Sequence, residues 1–230
     1  MVSPYLVAVG AEWEDGLSAG GWIADRLGPF GPSVGHAVPL GYPDNAIVPI
    51  PWEEDHDEVL APVIALDALL EVLDPFTGDQ PVHSGIWPGF GWMYETGDDP
   101  RTAPGIGAGV YWPLDAPRPA QEEIDRALAE ARDEMVAERV QCPDAEPLIL
   151  PNREYYLWSG PLRSAMAFRH QAYSPPSLIW PEDRSWFIGA PIYTNEIAVA
   201  GPTDVVEAVL RDPHLNARSA TPDDELDIDD

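Results

Sequence analysis

PPSLIWPEDRSWFIGAPIYTNEIAVAGPTDVVEAVLRDP, residues 175–213, carries strand, turn and helix signals in unbroken succession. Ser185–Ile192 is rich in aromatic and branched side chains, which suit a pleated, half-buried strand. Tyr193-Thr194-Asn195 suits a turn, because Asn tolerates positive φ and bonds its own backbone. Glu196–Ala200 reads as the antiparallel partner, and Pro202, with no N–H for the ladder, ends it. Thr203 is a good N-cap for a helix over Asp204–Arg211. Val205, Val206, Val209 and Leu210 give that helix one apolar face, and Asp212-Pro213 stops it. A hairpin crossed by a short helix is the seed of an α+β fold.

Just upstream, Trp180 and Trp186 bracket a charged turn. Burial is the commoner use of such large rings, with Asp183 and Arg184 as a local pair. The alternative is a ligand-facing lip that offers Arg184 to an anion or an aromatic ring.

Other elements are legible further out. Pro62–Leu73 places Val63, Leu66, Leu69, Leu70 and Leu73 at helical spacing, with Pro62 in the first turn and Asp74-Pro75 as the stop. Asp67 and Glu71 share one face of it; paired carboxylates can do acid–base work, but an exposed polar face is the plainer reading. Ala120–Val140 is a second helix, narrow in its apolar stripe and supported by Glu122 four residues before Arg126. Tyr5–Val9, His36–Val38, Ala46–Ile50 and Val110–Trp112 read as strands, Val82–Met93 as a strand running into a Gly-aromatic turn, and Leu148–Gly160 as a further β stretch. Trp22–Leu27 and Pro161–Phe168 read as short helical turns. Arg163, Arg169 and His170, with Arg153, are the one basic concentration, fit either to offset nearby acids or to hold an anionic group.

The charge is extreme: 40 acidic against 12 basic residues give −28, and every basic residue is Arg. Such a field repels nucleic acid and anionic membranes and attracts basic partners. The last residues, DDELDIDD at 223–230, suit a solvated, disordered tail. At 45% apolar content there is material for a real core, and no run approaches the roughly 18 apolar residues of a membrane span. The N-terminus has no basic region ahead of its apolar run, so a secretory signal is not expected. One cysteine, Cys142, cannot form an internal disulfide, which suits a reducing, cytoplasmic setting. Its acidic surroundings do not favour a reactive thiolate.

Chemistry-bearing motifs are scarce. Trp52–Glu58 sets acids beside His56, yet lacks the spacing of a calcium loop. The glycines of Val82–Met93 lack the following helix and the Lys of a phosphate loop. His83-Ser84 near Asp79 suggests a triad, but Ser84 has no nucleophile-elbow context. The reading is therefore no catalytic residue, no cofactor and no metal site.

Three stretches together carry a likeness: IWPGFGW at 86–92, PNREYYLWSGPL at 151–162, and IWPEDRSWF with VVEAVLRDP within 179–213. They resemble a family of actinobacterial proteins of unknown function with W-x-G-[FW]-G, R-x-Y-x-L-x-x-G-P-L and W-P-x-D-R-x-W elements. The inserted helix at 120–140 and the acidic tail depart from that pattern. The layout is also similar, in organisation only, to bacterial immunity proteins of the SUKH type.

The expectation is one α+β domain over residues 1–218, with a single central antiparallel or mixed sheet, helices mainly on one face, and a disordered tail over 219–230. The function expected is an acidic protein-binding module, of the immunity or antitoxin type, that inhibits a basic partner. The alternative is a small-molecule binder or enzyme. Its pocket would gather Trp87, Trp92, Tyr156, Trp180 and Trp186, with Arg153 or the Asp183-Arg184 turn to fix an anion.

Overall fold

The computed structural model describes residues 3–50, 61–89, 92–95, 98, 117–169 and 175–228, apart from the side chains at 135, 137 and 138. These residues fall into two units, Met1–Trp87 with Ala145–Asp230, and Pro88–Asp144. The acidic patch at 52–58, the strand expected at 110–112, and His170 lie outside the described residues.

In chain order the elements are α1 (Pro4–Ala8), β1 (Glu12–Glu14), α2 (Gly16–Gly20), a 3₁₀ turn (Ala24–Arg26), α3 (Val34–Ala37), β2 (Asp44–Pro49), α4 (Ala61–Thr77) and β3 (Val82–Ile86). Then come β4 (Met93–Tyr94), α5 (Gln121–Glu138), β5 (Val140–Gln141), β6 (Leu148–Leu150), β7 (Arg153–Gly160) and a 3₁₀ turn (Leu162–Met166). The chain closes with β8 (Leu178–Pro181), β9 (Phe187–Gly189), β10 (Glu196–Gly201), α6 (Thr203–Arg211) and β11 (Arg218–Ala220).

The larger unit is α+β. Its nine-stranded sheet runs in the order β1-β7-β3-β8-β9-β10-β2-β11, with β6 paired to β7, and every pairing is antiparallel. Strand periodicity sorts its side chains onto two faces. On one face Ala46, Val48, Val82, Ile179, Ile188, Ile197 and Val199 meet the Leu66, Leu69, Leu70 and Leu73 stripe of α4 and Val205, Val206 and Val209 of α6. On the other, Ile47, Leu157, Leu178, Trp180, Phe187 and Ala198 lie under Ile23, Val34, Ala37, Val38 and Leu226. Helices α4 and α6 do share one face, as expected, but the second face is no less covered. Short turns of the N-terminal segment and the C-terminal residues close it.

The expected hairpin is present as β9 and β10, paired through Ala198↔Gly189 and Ala200↔Phe187. The strand expected over 185–192 is only three residues long, and Leu178–Pro181 before it is a strand in its own right. Helix α6 begins at Thr203 with Pro202 as its N-cap, and the Thr203 hydroxyl donates to Asp44 Oδ2 at 2.6 Å. Two predicted strands are helical: Pro4, placed in the first turn, starts α1, and α3 takes residues 34–37. Helix α4 runs past the expected stop and includes Pro75.

The tail is the largest correction. Rather than being disordered from residue 219, β11 pairs with β2, and Leu226 is buried at 3% exposure. Val34 N–H donates to Asp224 O and Leu226 N–H to Pro32 O. The half-buried Glu196–Arg218 pair closes the same corner, with the Asp227 N–H donating to Glu196 Oε2 at 2.9 Å. Charge argues for solvation, but Leu226 supplies an apolar anchor and the backbone finds partners for its N–H groups.

The smaller unit pairs β4 with β5 in parallel, through Met93↔Val140 and Tyr94↔Gln141. Helix α5 connects them, and the Glu123 carboxylate accepts from the Ala120 N–H at its start. Cys142 is buried and free of any disulfide.

Candidate functional site

Pairing registers, joined between β8 and β9 by the Trp180–Phe187 ring contact, place Glu12, Ser159, His83, Trp180, Phe187, Ala200 and Asn45 in one transverse row across seven strands. In the middle of this row the rings of His83 and Trp180 stack at 5.2 Å, and those of Trp180 and Phe187 at 5.6 Å. The column is buried, and Trp22 meets Trp180 and Phe187 edge-on.

His83 carries the most unusual local chemistry. Its Nδ1 lies 2.6 Å from Glu14 Oε2 and its Nε2 lies 2.7 Å from Glu182 Oε2. Burial alone would favour the neutral ring, but the two carboxylate bonds outweigh it and hold the pKa above the usual value. An imidazolium donates to both acids, leaving the trio with one net negative charge. Ser84 points to the opposite face of β3, as strand periodicity demands, so the His83–Ser84–Asp79 grouping that the sequence reading set aside is not assembled.

Beside the row, at the sheet end formed by Pro81 and Gly160, lies a cleft of about 700 Å³. Glu12, Asp74, Asp79, Gln80, Ser159 and Arg163 supply its polar lining. Arg163 is engaged outside it, bonded to Asp67 Oδ1 at 2.5 Å and paired with Glu71 Oε1 at 3.7 Å on α4. The cleft is therefore acidic. Asp67 and Glu71 serve as the seat of an arginine, and no acid–base pair is needed to explain their spacing.

The five rings that the alternative reading gathers into one aromatic pocket are divided. Trp180 belongs to the layer under the N-terminal segment and Trp87 packs against that layer. Trp186 belongs to the α4 layer, and Tyr156 sits with Trp13 on that same side. Trp92 is in the smaller unit. Trp180 and Trp186 are at most 1% exposed, as the core reading of this turn required. Between them, Asp183 accepts from the Ser185 N–H, and its own N–H donates to Gln80 Oε1. Arg184 has φ +57 and does not pair with Asp183; its guanidinium lies 4.8 Å over Trp22, which Arg26 also approaches at 5.6 Å. Tyr42, half-buried in this cluster and donating to Arg184 O, has its pKa pushed up to about 12 by desolvation, against the pull of the two arginines.

Arg153 is the predicted residue in the most distinctive setting. Its guanidinium lies 5.5 Å from the Trp87 ring and 5.1 Å from the Tyr193 ring. Among the described residues it has no carboxylate partner. Sequence reading pairs Arg153 with Trp87; it misses Tyr193, His36 and Ser177, which are remote in the chain and carry no motif.

Among the described residues, no cluster of three or more His, Cys, Asp or Glu side chains is placed to hold a metal ion. Among the described residues, no helix is long and apolar enough to cross a membrane. No family model matches the chain, and no curated protein or solved structure is similar to it.

Proposed function

We propose that this chain is an acidic protein-binding module, of the immunity or antitoxin type, that captures a basic partner protein. The observation that carries the reading is the acidic cleft at the β1 edge of the sheet. Glu12, Asp74 and Asp79 face a space of about 700 Å³ in which the lining cation, Arg163, is already engaged by α4. A cationic side chain of a partner fits that space in size and sign. The net charge of −28 adds long-range attraction that speeds encounter. A reducing cytoplasm is the setting this reading implies for the lone thiol of Cys142.

The test begins with capture from lysate of the source organism at low and high salt, with partners identified by mass spectrometry. Association rates are then measured for the identified basic protein with the wild type and with a Glu12→Gln, Asp74→Asn, Asp79→Asn triple variant. Steered association weakens steeply with salt, and the variant should lose about tenfold or more in on-rate with little change in off-rate. A partner that binds the variant equally fast, or without regard to salt, refutes the reading.

A further inference from the structure

We propose that the cavity beside Arg153 is a binding site for a small carboxylate, with the Arg153 guanidinium as its anchor. The cavity measures about 20 Å³ and is lined by His36, Leu150, Arg153, Tyr155, Ser177 and Tyr193, among others. Three polar atoms of its lining residues are buried without a hydrogen-bond partner: Arg153 Nε, His36 Nδ1 and Ser177 Oγ. Ser177 is 2% exposed. Native structures seldom leave one buried polar group unsatisfied, and a set of three around one space calls for an occupant.

The arginine sets the sign of that occupant. Trp87 and Tyr193 engage the guanidinium through their rings, which leaves its N–H donors for a ligand. In a chain of net charge −28, a half-buried arginine with no described carboxylate partner is held apart from the many acids that would otherwise neutralise it. The cavity, at about 20 Å³, exceeds the roughly 10–15 Å³ that one water needs. A carboxylate matches the planar fork of the guanidinium, and the proposed ligand would accept from Arg153 and from the Ser177 hydroxyl. Tyr155, whose pKa burial pushes up to about 12 against the pull of Arg153, keeps its proton at neutral pH and adds no competing negative charge.

This site shares no residue with the acidic cleft and takes the opposite charge, so the failure of either assignment leaves the other standing. The probe is acetate, titrated at constant ionic strength and followed by tryptophan fluorescence and by thermal unfolding, with formate, sulfate and chloride alongside. Acetate and formate should saturate and raise the unfolding temperature, and sulfate and chloride should not. Arg153→Lys keeps the charge but loses the planar fork, and Ser177→Ala removes one hydroxyl with little change of volume. Each should weaken acetate binding about tenfold, the effect of a charge-assisted bond. Circular dichroism checks that both variants fold, and Ser177→Ala decides the question if the arginine variant does not. Equal acetate binding by the folded variants, a preference for sulfate or chloride, or no saturation up to about 100 mM acetate would each overturn the assignment. The last outcome would leave water as the occupant.

Discussion

His83 Nδ1 lies 2.6 Å from Glu14 Oε2 although 69 residues separate them in the chain. The contact ties the edge strand β1 across β7 to β3, while Glu182 on the other ring nitrogen ties in the end of β8.

The pH dependence of stability follows from this trio. Because the native pKa of His83 is raised, its stabilisation is complete below the free-histidine value, about 6.5, and fades as pH rises through the native value. His83→Gln should cost about 2 kcal/mol near pH 6, the scale of hydrogen bonds to charged groups. The gap between wild type and variant should narrow in alkaline buffer. Urea unfolding across that range checks it, and a gap that does not change with pH would count against the charged ring.

Trp180 is the support of the same column. Trp180→Ala should destabilise by about 3–5 kcal/mol, because the vacated space borders both His83 and Phe187. A double-mutant cycle with His83→Gln should give a coupling above about 0.5 kcal/mol, since the two rings touch. Additive effects would mean that the stack does not position the imidazole.

Gly189 marks where β9 meets α3. A Cβ there would stand 2.1 Å from Ala37 O, a backbone atom that cannot swing aside. Gly189→Ala should therefore cost about 3 kcal/mol or more, as overpacking against backbone does. Gly31→Ala is the control: a Cβ there meets nothing within 4 Å, and its effect should stay within about 0.5 kcal/mol. Denaturant midpoints of the two variants separate the cases.

The C-terminal segment can be tested by anchor removal. Leu226→Ala should cost about 2 kcal/mol and free residues 221–228 for proteolysis, because that one side chain holds the segment in the second core layer. Limited digestion read by mass should show early cleavage there in the variant alone. Unchanged digestion would show that the backbone bonds at Val34, Gly35 and Asn195 suffice.

Helices α4 and α6 and strand β10 are legible in the residues because each repeats its apolar side chains at its own period over several turns or pairs. Tyr5–Val9 reads equally well as a strand, and a five-residue segment has too few repeats to decide; Pro4 and docking settle it as a turn of helix. The acidic tail reads as solvated because charge is counted along the chain, whereas Leu226 acts through a surface 192 residues away at Val34. The candidate sites divide in the same way. Arg153 stands out in the chain as a cation among aromatics, and the acidity that defines the cleft is plain in composition.

Local residue order already settles which side chains share a strand face, since alternation is a property of the backbone. It does not settle which strands become neighbours or in what register, and those choices bring Glu14 and Glu182 to His83 and set His36, Ser177 and Tyr193 around Arg153. Such contacts join segments tens to more than a hundred residues apart. Their geometry is selected by the packing of two core layers against one sheet, a collective minimum that no local stretch encodes.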